Sequence, residues 1–348
     1  MTRIERYRPE DRRQVELLYR RVFGADAALA NQLRWQWQYA QNPGVPPPGE
    51  PAIWLAREGQ TVIGQYATIP VRASVLGREI DAAWGTDVMV APERQRQGLG
   101  DQLLRAWDRE AGASLGLGLS DSSRGLLAKL RWPHLGPLTA LVKPLSRRAF
   151  RVPTWPVPVN RFISYVTLPV VRLVARSRPL EAEVRTIRHF DARFDALWAR
   201  VASRFAFAVR RDAAYLNWKY IQPPHVRYLV AALERDTEVA GYAVYRHVAE
   251  PLGRVTRLVD FLTDPADTAG FLTLLRWVDR EARAADSDKI RTWVSHDVYR
   301  RLLRKSGYFA HRSSVELVAK VNAVEVPADY YRSSDAWHVT LGDADQDR

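Results

Sequence analysis

The segment PERQRQGLGDQLLRAWDREA, residues 92–111, decides how this chain folds. The stretch before it, GTDVMV, has the apolar character of a β-strand, and the later part of the segment is an amphipathic helix with Leu103 and Trp107 on one face. The turn between strand and helix contains Gly98 and Gly100. Because the first N–H groups of a helix have no partner within it, a glycine-bearing turn at this point is a typical anion site.

A near copy of this helix appears later in the chain, where LLRAWDREA at 103–111 returns as LLRWVDREA at 274–282. Other stretches match in the same order: 4–23 with 184–201, 33–43 with 214–224, and Asp87 with Asp260. Matches that keep their order indicate a repeated structural unit. We conclude that one fold occurs twice in this chain.

Within each copy the pattern is strand, helix, helix, three strands, helix, strand, helix. We therefore predict an α/β protein of the α+β mixed-sheet type, in which two tandem domains each contain a mostly antiparallel twisted sheet flanked by helices. The predicted divisions are an N-terminal domain at 1–145, a Pro- and Arg-rich connector at 146–180, a C-terminal domain at 181–330 and a tail at 331–348. The aromatic Trp37 and Trp218 segments are predicted to be core residues, because large aromatic side chains dominate cores.

Composition narrows the classes of function. The 348 residues suit two domains of usual size, and the absence of cysteine excludes disulfides and thiolate nucleophiles. The seven histidines are scattered singly, so we predict no metal site. The first residues, MTRIERYRPEDRRQ, contain no apolar signal core, which predicts a cytoplasmic protein.

The net charge of +13 favours an anionic partner, although an Arg-rich solvated surface explains the charge equally well. The connector 146–180 mixes proline, arginine and apolar residues. Its apolar part, Phe162–Ala175, is too short to span a bilayer. Two interpretations stay open: peripheral contact with the inner membrane face through Arg147, Arg148, Arg172, Arg176 and Arg178, or a strap packed across the two domains.

The pattern V-x-P-x-R-x-R-Q-G-L-G at 90–100 resembles the acyl-CoA signature of the GNAT N-acyltransferases, Q/R-x-x-G-x-G/A. The preceding strand, the following helix and the pattern S-x-x-S-x-x-L-L-x-K-x-x-W at 120–132 match the family order. The resemblance covers the first copy closely and the second by architecture. With the segment RDAAYLNWKY at 211–220, the chain is similar to tandem GNAT proteins of bacterial exopolysaccharide and cell-envelope synthesis.

This resemblance implies that acetyl-CoA, or another acyl-CoA, is the co-substrate. The turn amides would bind its pyrophosphate, and the strand edge would pair with its pantetheine arm. The implied binding residues are Val88, Met89, Val90, Gln95, Arg96, Gln97, Gly98, Leu99 and Gly100. The second copy has eight residues, ADTAGFLT, where the first has ten, with Gly270 as its single glycine and no basic side chain. We therefore predict that the second copy binds no CoA.

The resemblance also implies an acyl transfer in which the N–H of Val90 polarises the thioester carbonyl and Asp87 acts as the base. A structural hydrogen bond is the alternative for Asp87, since Asp260 takes its place in the second copy. The tyrosine that many GNAT enzymes use as an acid is replaced by Leu127. Ser120, Tyr66 or water would then protonate the leaving thiolate.

Our prediction is an acyl-CoA-dependent N-acyltransferase, of the N-acetyltransferase type, that acts on the amine of a small molecule or an amino sugar. One alternative is a Fem-type transferase that takes its donor from charged tRNA; the intact turn favours CoA over nucleic acid. The other is an acyl-CoA-binding protein without catalysis. The sequence does not determine the acceptor, the acyl length or the oligomeric state.

Overall fold

The computed structural model describes residues 2–45, 50–150, 165, 183–345 and 347. Two mixed β-sheets with helices on their faces make up this part of the chain, as the predicted mixed α/β class requires. The strands of the N-terminal half are β1 (Thr2–Arg6), β2 (Ile53–Glu58), β3 (Thr61–Val75), β4 (Arg78–Val90), β5 (Ala113–Leu117), β6 (His134–Pro137) and β7 (Thr139–Pro144). Its helices are α1 (Arg12–Phe23), α2 (Ala25–Trp35), α3 (Leu99–Asp108) and α4 (Asp121–Lys129).

The C-terminal half has a similar order of elements, with β9 and β16 as additional strands. Its strands are β8 (Glu183–Ile187), β9 (Phe207–Val209), β10 (Leu229–Arg235), β11 (Glu238–Glu250), β12 (Gly253–Thr263), β13 (Lys289–Val294), β14 (Phe309–His311), β15 (Glu316–Val321) and β16 (Trp337–His338). Its helices are α5 (Ala192–Val201), α6 (Ala213–Leu216), α7 (Thr268–Ala284) and α8 (Asp297–Lys305). A π-helical turn follows α2 at Gln36–Ala40 and another follows α6 at Asn217–Ile221.

The two sheets exchange strands. The first sheet has the order β1-β2-β3-β4-β5-β15-β6, with β9 and β16 attached to β3. The second has the order β14-β7-β13-β12-β11-β10-β8. β7, which lies within 1–145, thus pairs in the second sheet, and β15, which lies within 181–330, pairs in the first. Backbone hydrogen bonds therefore run between the two halves of the chain.

Each exchanged strand contributes a lysine to an ion pair with the other half. Lys320 of β15 pairs with Asp108 of α3, and Lys143 of β7 pairs with Asp279 of α7. The two aspartates occupy the same place in the repeated LLRAWDREA and LLRWVDREA helices. The repeat thus includes a matched electrostatic contact that ties each helix to a strand from the opposite half.

Trp37 and Trp218 join the halves at their centre. The two rings stack with centroids 5.0 Å apart. Trp37 Nε1 donates to the carbonyl of Trp218 at 2.6 Å, and Trp218 Nε1 donates to the carbonyl of Trp37 at 2.8 Å. Both side chains are buried, which confirms the prediction that they are core residues.

Residues 337–345, here called the C-terminal segment, lie against both sheets. Trp337, Val339 and Leu341 are buried, although the sequence predicts a tail over 331–348. Ser295 N–H donates to Val339 O at 3.0 Å, and Gly342 N–H donates to Val259 O at 3.1 Å. These long-range bonds have no signal in the local sequence pattern, which is why the sequence alone suggested a tail.

Most of the predicted connector lies outside the described residues, including Phe162–Ala175 apart from Tyr165, and Arg176 and Arg178. Within the described residues, Arg148 pairs with Asp286 and Asp288. The Arg147 guanidinium stacks on the Tyr165 ring at 3.7 Å. In the described ranges, no helix is long and apolar enough to cross a bilayer.

Candidate functional site

A β-bulge interrupts β4 at Asp87. Thr86 is opposite Ala67 of β3 and Met89 is opposite Gln65, so Asp87 and Val88 share the single partner residue Tyr66. The backbone of Asp87 has a φ of 43°, in the left-handed region that a residue with a side chain rarely adopts. A bulge redirects backbone and side-chain groups and recurs beside active sites. This feature thus distinguishes the end of β4 from the regular strand before it.

The end of β4 also has an edge that no described strand covers. β4 and β5 run parallel and pair at Ala83–Ser114 and Trp84–Leu115. The backbone of no described residue outside β3 bonds to the backbone of Val88, Met89 or Val90, and Val90 O accepts only from the Gln95 side chain among the described residues. Ala91 N–H donates to Ile63 O of β3 at 2.8 Å. Because backbone groups alternate along a strand, those of Met89 face β3 and those of Val90 face the opposite edge. Of these predicted residues, Val90 has the orientation that pairing with a ligand requires.

The turn after β4 leads directly into α3. Gly98 is the N-cap residue, with a φ of 80° and open space where a Cβ would lie. Leu99 is buried and anchors the helix start, while Arg96 and Gln97 are exposed. No side chain caps this helix. The first-turn N–H groups of α3, which lack acceptors within the helix, thus lie at an open surface with a positive side chain beside them.

Two residues of the turn are engaged within the protein. Gln95 N–H donates to Pro92 O at 3.4 Å and its side chain donates to Val90 O at 3.2 Å. Arg94 pairs with Glu58 at 2.6 Å. A 3₁₀ turn at Pro92–Arg94 uses the Gln95 N–H as its closing bond, and the role of Gln95 in phosphate binding stays a prediction. The other predicted donors belong to residues 96–100.

Asp87 is surrounded by donors from α1, α2 and the π-helical turn. Its carboxylate accepts from Tyr39 Oη at 2.5 Å, from Tyr19 Oη at 3.4 Å and from Arg34 Nη2 at 3.5 Å. The side chains of Asp87 and Arg34 are almost fully buried. The sequence did not reveal these partners, since Tyr19, Arg34 and Tyr39 belong to helical segments far from β4 in the chain.

The candidate acids differ in their surroundings. Ser120 is exposed and caps α4, accepting from Ser123 N–H at 3.2 Å, so its hydroxyl has a structural task. Tyr66 stacks on Trp107 and lies across from the bulge, and burial raises the pKa of its phenol, which keeps its proton. Leu127 is a buried apolar residue of α4. Of the three positions, Tyr66 is the one that shares the bulge.

The second half has an Asp at the same place, enclosed more tightly. Asp260 accepts from Arg211 at 3.2 Å, from Tyr242 Oη at 2.9 Å and from Thr340 Oγ1 of the C-terminal segment at 2.9 Å. Burial opposes the charge of Arg211, but the carboxylates of Asp260 and Asp343 raise its pKa well above the usual value. This cluster, which includes Arg211 from the RDAAYLNWKY segment, is a closed structural network.

A cavity of about 20 Å³ lies between the two halves, close to the bulge. It is lined by Arg34, Trp37, Gln38, Ile69, Lys219, His225, Tyr228, Gly342, Ala344, Asp345 and Asp347. Asp345 accepts from Thr86 Oγ1, next to Asp87, at 2.6 Å. Sequence reasoning missed these residues, because they come from both halves and from the segment predicted to be a tail.

Comparison with known proteins agrees with this geometry. Residues 3–116 match the family model described as the Acetyltransferase (GNAT) domain. The chain therefore carries a GNAT acetyltransferase domain, which includes the bulge, the turn and α3. No curated protein matches the chain.

Solved structures extend the likeness to the whole chain. A GCN5-related N-acetyltransferase from Anabaena variabilis superposes with a TM-score of 0.62 at 12% identity, over 92% of this chain and 73% of that one. A protein from Enterococcus faecalis described as a probable N-acyltransferase gives 0.63 at 10% identity, over 93% and 73%. The N-myristoyltransferase of Saccharomyces cerevisiae, solved with myristoyl-CoA, gives 0.56 at 14% identity, over 91% and 79%. At these identities the likeness concerns the fold.

Proposed function

We propose that this protein is an acyl-CoA-dependent N-acyltransferase whose acyl-CoA site is formed by the N-terminal half. The observation that carries the proposal is the uncapped N-terminus of α3, entered through Gly98 in a left-handed conformation. Open space beside Gly98 gives a diphosphate room at this helix start, and α3 directs partial positive charge toward it. The residues present therefore fit the phosphate end of CoA.

In this proposal the amides of Arg96, Gln97, Gly98, Leu99 and Gly100 hold the pyrophosphate, with the exposed Arg96 guanidinium nearby. The outward-facing backbone of Val90 pairs with the pantetheine arm as an added strand would, and its N–H polarises the thioester carbonyl. The acyl-CoA supplies the activated carbonyl carbon. Val88 lies in the bulge and Met89 faces β3, so they shape this edge.

The reaction forms a C–N bond between the acceptor amine and the acyl carbon and breaks the C–S bond of the thioester. An acceptor that arrives as an ammonium releases one proton to a base and a second one protonates the leaving thiolate, so the products are an amide, CoA thiol and one proton. Asp87 is the proposed base. The second proton passes from the acceptor nitrogen to the thiolate through water or the Ser120 hydroxyl, because burial raises the pKa of the Tyr66 phenol and makes it a weak acid.

Acetyl is the proposed acyl group, and a small molecule or an amino sugar is the proposed acceptor. We also propose a cytoplasmic location, with peripheral contact at the inner membrane face through 146–180, and a task in cell-envelope or exopolysaccharide synthesis. The support for that task is the resemblance of segment 211–220 to tandem GNAT proteins of that group. Within this segment, Arg211, Trp218 and Lys219 are buried.

Isothermal titration with acetyl-CoA, free CoA and a charged tRNA tests the donor. We expect acetyl-CoA and CoA to bind with 1:1 stoichiometry and charged tRNA to give no heat that survives moderate salt, because binding to phosphate backbones weakens steeply with ionic strength. Tight tRNA binding without CoA binding would instead support the Fem-type alternative. Thiol release from acetyl-CoA in the presence of an amine panel then separates catalysis from acyl-CoA binding alone.

A further inference from the structure

The helices α1 and α2 present four large apolar side chains to solvent. Leu17 and Phe23 of α1 are 59% and 44% exposed, and Leu29 and Leu33 of α2 are both 62% exposed. Exposed apolar residues are ordinary when they are scattered singly over a surface. Four of them within residues 17–33 form a patch, and patches of this kind mark contact with a protein or a membrane.

The exposed side chains of the two helices lie on the same side of the molecule. Leu18 of α1 and Trp35 of α2 belong to one buried core cluster. Because both helices bury a face in this core, their opposite faces point outward together. Leu29 and Leu33 are one turn apart on the outer face of α2, and Leu17 lies on the outer face of α1.

The charges beside this patch favour an anionic partner. Arg13, Leu17 and Arg20 follow one another along the same stripe of α1. Arg13 and Arg20 are exposed, and neither guanidinium has an ion-pair or hydrogen-bond partner among the described residues. The exposed acid of α2 is Asp26. The four apolar residues together with Arg13 and Arg20 are called the α1–α2 surface below.

An anionic lipid surface fits these features better than a second copy of this chain. A two-fold contact would bring the same basic face against itself, and the net charge of +13 makes two copies repel each other. Helices that lie on membranes combine exposed leucines with arginines. Their apolar side chains enter the boundary between headgroups and acyl chains, while the arginines contact lipid phosphates.

The inner sides of α1 and α2 reach the proposed reaction site. Tyr19 of α1 and Arg34 of α2 lie within hydrogen-bond distance of the Asp87 carboxylate. Near the end of α1, Arg21 pairs at 2.9 Å with Glu93 of the turn before α3. A membrane on the outer side of the helices would therefore lie one helix diameter from Asp87, roughly 10–12 Å.

We propose that the α1–α2 surface docks the protein on an anionic membrane. The three leucines and Phe23 insert among the lipid headgroups, and Arg13 and Arg20 contact lipid phosphates. None of these residues belongs to the connector 146–180, so this is a second and separate surface. The inference does not depend on the proposed acyl transfer, although docking in this orientation turns the Asp87 side of the first half toward the membrane.

Vesicle flotation with the full-length protein tests the docking. One set of vesicles contains phosphatidylcholine alone, and the other also contains the anionic lipid phosphatidylglycerol. We expect the protein to float with the anionic vesicles and to be released by high salt, because salt screens the attraction between exposed arginines and lipid phosphates. Equal binding to both compositions, or binding to neither, overturns the proposal.

Two double variants locate the contact. Leu29→Ser with Leu33→Ser should weaken binding to the anionic vesicles by about 10-fold to 100-fold, because two apolar side chains no longer enter the lipid. Arg13→Gln with Arg20→Gln should weaken it by about 5-fold for each guanidinium removed and reduce its dependence on salt. Unaltered binding in both double variants overturns the proposal.

The matched control is Leu252→Ser, at a leucine that is 51% exposed in the second half. Leu252 and Arg148 of the connector line the same groove, so this variant also tests the connector side. We expect its binding to anionic vesicles to equal that of the natural chain. A loss in Leu252→Ser with no loss in the α2 variant would assign the membrane contact to the connector and overturn the proposal.

Two further measurements separate docking from folding and from self-association. Urea denaturation should give the variants nearly the free energy of unfolding of the natural chain, because the substituted side chains are exposed. Sedimentation equilibrium without lipid should give the natural chain and the Leu29, Leu33 double variant the same molar mass. A dimer that only this variant dissociates would assign the α1–α2 surface to a second copy and overturn the proposal.

Discussion

The two halves follow a similar order of strands and helices, but the ends of β4 and β12, which precede α3 and α7, differ in what lies beside them. In the second half, residues 339–342 lie between β12 and β13: Thr340 pairs with Val294, and Gly342 N–H donates to Val259 O. In the first half, the backbone of no described residue outside β3 bonds to the backbone of Val88, Met89 or Val90, although the Gln95 side chain donates to Val90 O. Among the described residues, the backbone thus fills this space in the second half.

The helices that follow these two strands, α7 and α3, also differ in whether their first N–H groups have a partner. Asp267 caps α7 and accepts from Gly270 N–H at 3.0 Å, so a carboxylate already occupies the position that an anion would take. α3 begins at Gly98 without a side-chain cap. A diphosphate would meet a negative charge at one helix and free donors at the other. The comparison indicates that α7 cannot bind an anion at its start, because the Asp267 carboxylate already accepts from its first N–H groups, although α3 and α7 occupy similar places after their strands.

The largest expected effect on stability comes from removing the buried cation that pairs with Asp260 and Asp343 in the second half. Arg211→Met leaves Asp260 and Asp343 buried without their cation, which should lower the free energy of unfolding by about 3–5 kcal/mol. Urea denaturation followed by tryptophan fluorescence measures this change. The matched control is Arg210→Met at the neighbouring, half-exposed residue. A similar shift in both variants would contradict the closed network described for the second half.

The next effect concerns the open helix start. Gly98→Glu should weaken acetyl-CoA binding by roughly 5-fold to 1,000-fold, because like charges ~4 Å apart repel by about 1–4 kcal/mol in a partly screened site. Calorimetric titration measures the affinity. Gly77→Glu introduces the same side chain at an exposed turn with a nearly equal φ of 78° and open space, and should bind normally. Unchanged CoA affinity in Gly98→Glu would rule out the proposed site.

A smaller effect distinguishes the two aspartates at the equivalent strand ends. Asp87→Asn should lower kcat by about 100-fold if its carboxylate acts as the base, while the affinity for acetyl-CoA stays near that of the natural chain. Steady-state kinetics combined with titration separates the two quantities. Tyr39→Phe, which removes one donor to Asp87, is the companion variant and should affect kcat less. An unaltered rate in Asp87→Asn would give Asp87 the same structural role as Asp260.

The smallest expected effect concerns the cap of α7, and the same variants test whether the second half binds CoA once that cap is removed. Asp267→Ala should lower the free energy of unfolding by about 1 kcal/mol through loss of the helix cap, whereas Asp267→Asn, which also caps well, should cost little. Neither variant should gain a second CoA equivalent in a titration, because residues 339–342 still fill the strand edge. A stoichiometry of two would show that the cap alone blocks binding there.

Much of the fold was accessible from local patterns. The order of strands and helices in the first copy and the buried face of α3 follow from residues close together in the chain, and the structure confirms them. The turn at Gly98 follows from the same short-range pattern. These features depend on periodicity and backbone preference, which a single segment expresses without its neighbours.

The strand exchange, the filling of one strand edge and the cavity with Asp345 were decided only by the tertiary structure. Thr86 and Asp345, for example, meet although 259 positions separate them in the chain. Contacts of this kind leave no periodic trace, because each side needs only one polar residue at one position. The sequence alone predicted a repeated order of strands and helices and a glycine turn suited to an anion in the first copy. Which strands pair with the opposite half was determined only by the tertiary structure. That pairing depends on backbone edges and buried charges that need partners from distant parts of the chain.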